Sequence, residues 1–424
     1  MFVKKQRTLH HGSLISRFVF LLLPALFCLP IYAQQPKPNE SIVSRASADK
    51  SAIKVPFEFY GNHILVPVRV NNSPPFWFYF DSGAGVNLIN KRTAEKLGLE
   101  SRGTVNIAGN GGTGGGSFIE NAIIELAGVK AADRLIVSSP LENLNEYAGR
   151  DISGIIGNNF IEKFVVEIDY ANQTLVFHDP KNYNLADEPD AVALKMRRGT
   201  PFVKAELSLD GKTVITDSFP VDTGSGGIFA LNKPFAEKNR VLQIVPKTSV
   251  SEGAGGAGLG GELRKTNVRI GGIKIGKHTL NQPIISILAD KNGNSGSPYI
   301  GLIGSDLLRR FTVVLDYQSK RILLTPNADY NEPFEVDLSG LQLVTKGDDF
   351  KTIVIKQVRA GFPAAAAGLR EDDTLVSVDN RWTDEFDLDK LSKMFRQNGK
   401  EYQLTVKRGG ELISVKLTLV VEKP

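Results

Sequence analysis

The triplet Asp81-Ser82-Gly83 returns 141 residues later as Asp222-Thr223-Gly224, and a strand-like apolar run leads into each copy. Phe76-Trp77-Phe78-Tyr79-Phe80 precedes the first and Ser218-Phe219-Pro220-Val221 the second. A carboxylate on each of two matching turns is what a pair sharing one proton requires. Two such groups in contact cannot both ionise, so one remains an acid while the other acts as a base. Gly83 and Gly224 allow a tight turn and let backbone amides approach the carboxylates. The hydroxyls of Ser82 and Thr223 are expected to reach across and hold the two turns in register. At the next position Ser225 has a hydroxyl to offer the pair and Ala84 has none. A donor to the charged form predicts an acidic to mildly acidic optimum.

Other chemistries find little support. The one cysteine, Cys28, lies in a leader in which Lys4, Lys5, Arg7 and Arg17 precede the apolar run 18–29 and then Ile31-Tyr32-Ala33. Residues 1–33 are read as a signal peptide cleaved after Ala33, which predicts an exported protein, periplasmic or extracellular. Membrane attachment is expected only through that leader if it is not cleaved. Phe27 before Cys28 argues against lipid attachment. Without the leader 47 basic residues face 46 acidic ones, so no nucleic-acid or anionic-membrane surface is expected. The chain beyond the leader has no cysteine for a nucleophile, a disulfide or a thiolate metal site. His63, His178 and His278 are widely spaced and read as packing or surface residues rather than ligands, so no metal and no cofactor is expected.

The segments that must position the carboxylates are short strands. After a flexible lead-in over 34–52, the pattern predicts strands over 55–59 and 64–70, then the strand into Asp81. A helix is expected over 91–97, capped by Asn90. The second half repeats the plan. Gly154-Ile155-Ile156-Gly157 and Phe164-Val165-Val166-Glu167-Ile168-Asp169-Tyr170 match Gly301-Leu302-Ile303-Gly304 and Phe311-Thr312-Val313-Val314-Leu315-Asp316-Tyr317. Asp81 stands 76 residues before Gly157, and Asp222 stands 82 before Gly304. The same features in the same order indicate duplication into two lobes, 53–180 and 190–325, with 179–190 as connector. Each half also has a glycine-rich stretch, with Gly111, Gly112 and Gly114 in the first and Gly256, Gly258 and Gly260 in the second. These read as mobile flaps over a cleft or as ordinary hairpin tips. No Gly-Lys-Ser/Thr follows them, which disfavours a phosphate loop.

The paired Asp-Ser/Thr-Gly strands, each with its own Ile/Leu-Ile-Gly block, resemble the aspartic peptidases of the pepsin and retropepsin type. The resemblance covers about residues 53–325. It implies a mainly β fold, with two retropepsin-like closed lobes forming a pepsin-like bilobal unit. It further implies an endopeptidase using Asp81 and Asp222, supported by Ser82, Gly83, Thr223, Gly224 and Ser225, acting on protein or peptide. Ser82 stands where threonine is commoner. Neither flap has the tyrosine of the pepsin type, which points to looser clamping and a two-flap, retropepsin-like arrangement. Because one chain supplies both halves, a monomer is expected.

Past a composition shift at 326–337, residues 338–424 read as a small α/β domain with strands over 351–358 and 402–407 and a helix near 388–396. Gly361-Phe362-Pro363-Ala364 with Ala367-Gly368-Leu369 resembles the bacterial PDZ signature. Phe362 and Asp372 depart from it, at positions usually serine and glycine. The resemblance implies a peptide ligand paired to an edge strand, with Gly340, Leu341, Gln342 and Leu343 as the loop that takes its carboxylate. The alternative function is a non-catalytic peptide receptor or scaffold on the same fold.

Overall fold

In the segment His63–Val70 all residues but the half-buried His63 and Arg69 are fully enclosed, with Ile64, Leu65, Val66, Val68 and Val70 packing on both faces of their sheet. Such continuously apolar, β-branched runs are the signature of strands enclosed on two sides. They recur throughout the computed structural model, which describes residues 52–290 and 297–420. The leader, Cys28 and almost all of the lead-in lie outside the described residues.

The first lobe contains β1 (Ala52–Pro56), β2 (Glu58–Tyr60), β3 (His63–Val70), β4 (Phe76–Phe80), β5 (Leu88–Asn90), β6 (Ser101–Gly109), β7 (Gly112–Leu126), β8 (Val129–Ser139), β9 (Gly154–Ile156), β10 (Val165–Asp169) and β11 (Thr174–His178). Eight of these form a sheet in the order β2-β3-β4-β9-β5-β8-β7-β6, and β3 also pairs with β7, closing the lobe. The run expected as one strand over 55–59 is two. At Phe57 the chain leaves β1, with its N–H bonded to the Gln173 carbonyl (2.9 Å), and enters a different sheet as β2. A helix spans Lys91–Lys96, and the Asn90 side chain accepts from Arg92 N as its cap.

The second lobe contains β12 (Val192–Arg197), β13 (Thr200–Ser208), β14 (Val214–Asp222), β15 (Phe229–Asn232), β16 (Val250–Gly258), β17 (Gly261–Arg269), β18 (Gly272–Ile275), β19 (His278–Asn281), β20 (Ile284–Asp290), β21 (Gly301–Gly304), β22 (Phe311–Asp316) and β23 (Arg321–Pro326). Its path β13-β14-β21-β15-β20-β17-β16 repeats β3-β4-β9-β5-β8-β7-β6 strand for strand. The same pairs are parallel in both: β4–β9 and β5–β8, then β14–β21 and β15–β20.

The lobes join by backbone pairing. β10 of the first lies antiparallel to β22 of the second, with Val165 opposite Asp316, Glu167 opposite Val314 and Asp169 opposite Thr312. Glu167 and Val314 are each the third residue after the matching Phe164 and Phe311, so a pseudo-two-fold axis passes between them. Beneath the first Asp turn, Phe80 and Phe160 each meet Phe177 with ring centroids 6.0 Å apart; in the second lobe Phe219 meets Phe229 at 4.8 Å. Edge-on aromatic pairs of this kind contribute about 0.5–1.5 kcal/mol beyond area burial, which fixes the platform under each carboxylate.

The C-terminal domain has its own core around Ile355, Leu391, Leu404 and Leu417. Its strands are β24 (Leu341–Lys346), β25 (Thr352–Val358), β26 (Thr374–Val378), β27 (Arg381–Trp382), β28 (Glu401–Arg408) and β29 (Glu411–Thr418), with helices at Pro363–Ala366 and Leu388–Met394. The sheet order β24-β25-β26-β28-β29 leaves β24 at an edge. Asp372 has φ +66°, the left-handed region that explains why glycine suits that position.

Candidate active site

β4 and β14 run directly into Asp81 and Asp222, and the two turns interlock by an exchange of hydroxyls. The Ser82 hydroxyl donates to the Val221 carbonyl (2.7 Å) and accepts from Thr223 N–H (3.1 Å). The Thr223 hydroxyl donates to the Phe80 carbonyl (2.8 Å) and accepts from Ser82 N–H (3.0 Å). Both side chains are fully buried, so each bond is shielded from water and costly to leave unmade.

That exchange brings the carboxyls of Asp81 and Asp222 into hydrogen-bond contact. Asp81 Oδ1 accepts from the amides of Gly83 (2.7 Å) and Ala84 (3.1 Å), and Asp222 Oδ1 from Gly224 (3.0 Å). Gly83 and Gly224 do not adopt left-handed backbone. Their necessity lies in the approach of the opposite acid: a methyl group on Gly83 would sit 2.6 Å from Asp222 Cγ, and one on Gly224 would overlap the Asp81 carboxyl. Ser225 contributes its backbone amide to Asp222, and among the described residues its hydroxyl makes no hydrogen bond to the pair. The donor expected at the fourth position is therefore main-chain in both turns.

Burial raises the pKa of both acids, and the charge of Asp81 adds to the rise at Asp222, which stands well above the usual carboxylate range. The backbone amides pull the other way. The pair titrates jointly, holding one proton where two exposed carboxylates would hold none.

A second layer, without a role assigned from sequence, fixes the turns from below. Asn158 Nδ2 donates to the Ser82 carbonyl (2.9 Å), and at the matching place the Ser305 hydroxyl donates to the Thr223 carbonyl (2.9 Å). Tyr317, from the second lobe, crosses over and donates to Asn158 Oδ1 (2.7 Å). Its counterpart Tyr170 faces Ser305, the residue matching Asn158, and its buried hydroxyl makes no hydrogen bond of ordinary length among the described residues. The clue was the repeat itself: Gly157-Asn158 with Gly304-Ser305, and Asp169-Tyr170 with Asp316-Tyr317. The glycines of those blocks meet backbone closely, Gly157 against the Val86 carbonyl and Gly304 against that of Gly227.

The glycine-rich stretches are two hairpins, β6–β7 and β16–β17, that meet tip to tip. Gly111 N–H donates to the Leu259 carbonyl (3.1 Å). A methyl group on Gly258 would lie 2.9 Å from Gly111 N, and Gly112 and Gly260 abut in the same way. Gly114 and Gly256 are less confined: a methyl group on them would lie 3.7 Å from Gly260 and 3.3 Å from the Lys265 side chain. Leu259 packs on the first lobe's apolar wall with Ile107 and Ala84. A cavity of about 700 Å³ opens beside the joined tips, lined by Ile107, Asn143, Leu144, Leu259, Glu262 and Asp290 among others. Burial lowers the pKa of His63 to about 4, so this ring, set against Tyr79 and Gly226, is neutral near pH 7.

The loop expected to take a ligand carboxylate in the C-terminal domain is engaged internally. Ser339 N–H donates to Asp337 Oδ1 (2.8 Å), Leu341 N–H to the Ser339 hydroxyl (3.0 Å), and Gly340 is pressed against Phe362. Leu341 and Gln342 are buried, and Leu343 is half-buried.

Residues 66–160 match the family model described as aspartyl protease, and residues 332–407 match the PDZ domain model. The chain carries an aspartyl protease domain and a PDZ domain. The family match ends at Phe160, within the first lobe, so the second lobe of the protease domain is tied to it by the internal repeat. No curated protein matches the chain. Among solved structures, basic 7S globulin from soybean is similar at 12% identity and TM-score 0.40, covering 67% of this chain and 97% of its own. The aspartic proteinase from Irpex lacteus is similar at 12% identity and TM-score 0.42, covering 66% and 99%.

Proposed function

We propose that the protein is an exported aspartic endopeptidase in which Asp81 and Asp222 activate water between the lobes. The ionised member of the pair takes a proton from water as the oxygen attacks a peptide carbonyl. The protonated member hydrogen-bonds the carbonyl oxygen, and the leaving nitrogen then receives a proton. The amides of Gly83, Ala84 and Gly224 keep each carboxyl oriented for this work. Closed flaps would exclude water from the bound peptide, strengthening every charge interaction inside. The PDZ domain is assigned to peptide docking or regulation.

The observation that carries this reading is the contact between two half-buried carboxyls held by reciprocal Ser82 and Thr223 bonds. Ordinary Asp-initiated turns have no reason to meet across two lobes. The test is digestion of an unfolded protein from pH 3 to 8 by the chain beside Asp81→Asn and Asp222→Asn. Cleavage by the parent and a loss of at least about a hundredfold in either variant is expected. Cleavage surviving both substitutions would overturn the role of the pair, and cleavage absent from the parent at every pH would leave a non-catalytic peptide receptor or scaffold as the function.

A further inference from the structure

We propose that the peptide groove of the PDZ domain is occupied by the chain's own protease domain, and that this contact latches the second flap shut. A peptide that competes for β24 would release the flap. The effect on hydrolysis rests on the peptidase reading above; the docking and the latch do not.

A PDZ ligand adds as a strand to a sheet edge. Here that edge is β24, with the helix Leu388–Met394 beside it. The helix Glu142–Ala148, between β8 and β9 of the first lobe, lies against β24. The Thr345 hydroxyl donates to the Glu146 carbonyl (3.2 Å), and Lys346 Nζ pairs with the Glu146 carboxylate at 2.6 Å. Gly149, which ends that helix, sits where a methyl group would meet Leu388 Cγ at 3.0 Å and Thr345 Cγ2 at 3.4 Å. It therefore lies between strand and helix, the two walls of the groove. An unpaired edge is a template for foreign strands, and covering it with a helix is a common protection. In this chain the cover comes from the catalytic unit.

The same face of the PDZ domain grips the second flap from outside. The buried Arg359 donates to the Glu252 carbonyl on β16, and Gln357 reaches the Glu252 carboxylate (3.4 Å). Gln342 crowds Gly255. Lys356 pairs with Glu262 on β17 (3.1 Å), and Glu262 also accepts from the Tyr147 hydroxyl (3.2 Å) on the helix that covers β24. Among the described residues the first flap has no counterpart to this grip. Since the flap tips are already joined through Gly111 and Leu259, holding one from behind holds both. Undocking β24 and freeing the second flap are thus one movement.

The test replaces two exposed lysines at the seam, Lys346→Glu and Lys356→Glu together, in the full chain. Each would face a carboxylate, Glu146 and Glu262, so attraction becomes repulsion at both points. Amide hydrogen exchange is expected to speed up by about tenfold in β24 and in the β16–β17 hairpin. Adding Glu146→Lys and Glu262→Lys restores the opposite charges and should return both to the parent rate, which an unfolded or misfolded variant would not do. Protein digestion should rise and fall with the exchange. Unchanged exchange in β24 would overturn the docking. Faster exchange in β24 with an unchanged hairpin would overturn the latch. A chain that digests nothing yet shows both exchange effects would overturn the peptidase reading and leave the latch standing.

Discussion

The two lobes repeat one plan, and they differ in how much of the site each supports. Everything within one bond of the carboxyls is symmetric: Ser82 and Thr223 trade places, and Asn158 and Ser305 hold equivalent carbonyls. One step outward the symmetry fails. Gly157 N–H is received by the Asn87 side chain (2.7 Å), whereas Gly304 N–H is received by the Ile228 main chain (3.0 Å). Tyr317 makes a 2.7 Å bond to Asn158, whereas among the described residues Tyr170 faces Ser305 without a bond of ordinary length. The first lobe closes β3 directly on the long β7, while the second covers β13 with the extra hairpin β18–β19. Among the described residues, of the two hairpins only β16–β17 is held by the PDZ domain. The shared proton demands equivalence only at the centre, and each lobe is free to vary outside it.

The largest difference between the acids should appear in pH dependence and stability. Both have raised pKa values, so the folded chain binds the shared proton more tightly than the unfolded chain does. That contribution is complete below the ordinary carboxylate range and is lost as pH rises through the raised folded values. Thermal stability should therefore fall with rising pH across that window. Asn at either position should raise the melting temperature near pH 7 while removing activity, with the larger gain at Asp222, where burial and the Asp81 charge add. Calorimetry of the parent, Asp81→Asn and Asp222→Asn from pH 4 to 8 measures this; a lower melting temperature for both variants would refute it.

The hydroxyl exchange should be the most symmetric feature of the molecule. Ser82→Ala and Thr223→Ala each remove one buried donor and strand one amide, and each should cost about 1–3 kcal/mol. Denaturant melts giving unequal losses would show that one turn leans on the other.

The centre was legible in the sequence because its chemistry is local. A triplet, its preceding strand and its Ile-Gly block are each read within a few residues, and their recurrence supplied the pairing. The helix after Asn90 was legible for the same reason, being set by its cap. What was not legible depends on residues brought together from far apart. Tyr317 meets Asn158 across 159 positions, and Lys346 meets Glu146 across 200. Neither pair carries a periodicity or a turn signal. The break at Phe57 was hidden too, since β1 and β2 are one extended run that separates only because β11 and β3 claim different parts of it.

The smallest expected effect tests the outer asymmetry. Tyr317→Phe removes a hydroxyl bonded to Asn158 and should cost about 1 kcal/mol, with a modest fall in turnover. Tyr170→Phe removes a hydroxyl that faces Ser305 without an ordinary-length hydrogen bond among the described residues, and should cost less than Tyr317→Phe. Equal destabilisation by the two changes, in matched melts, would mean that the lobes are supported alike.

The pairing of β10 with β22 has a consequence for how such a molecule could be built from less. Its register turns about one position, Glu167 opposite Val314, so each strand offers the other an edge of the same spacing. A chain stopped after the first lobe would leave the edge Val165–Asp169 bare, and that edge is complementary in register to a second copy of itself. Two such halves would bring two Asp81 turns together, with one obstacle: a Glu167 carboxylate from each would meet on the axis. The valine at 314 is what lets two halves of one polypeptide share a seam that two identical halves would contest.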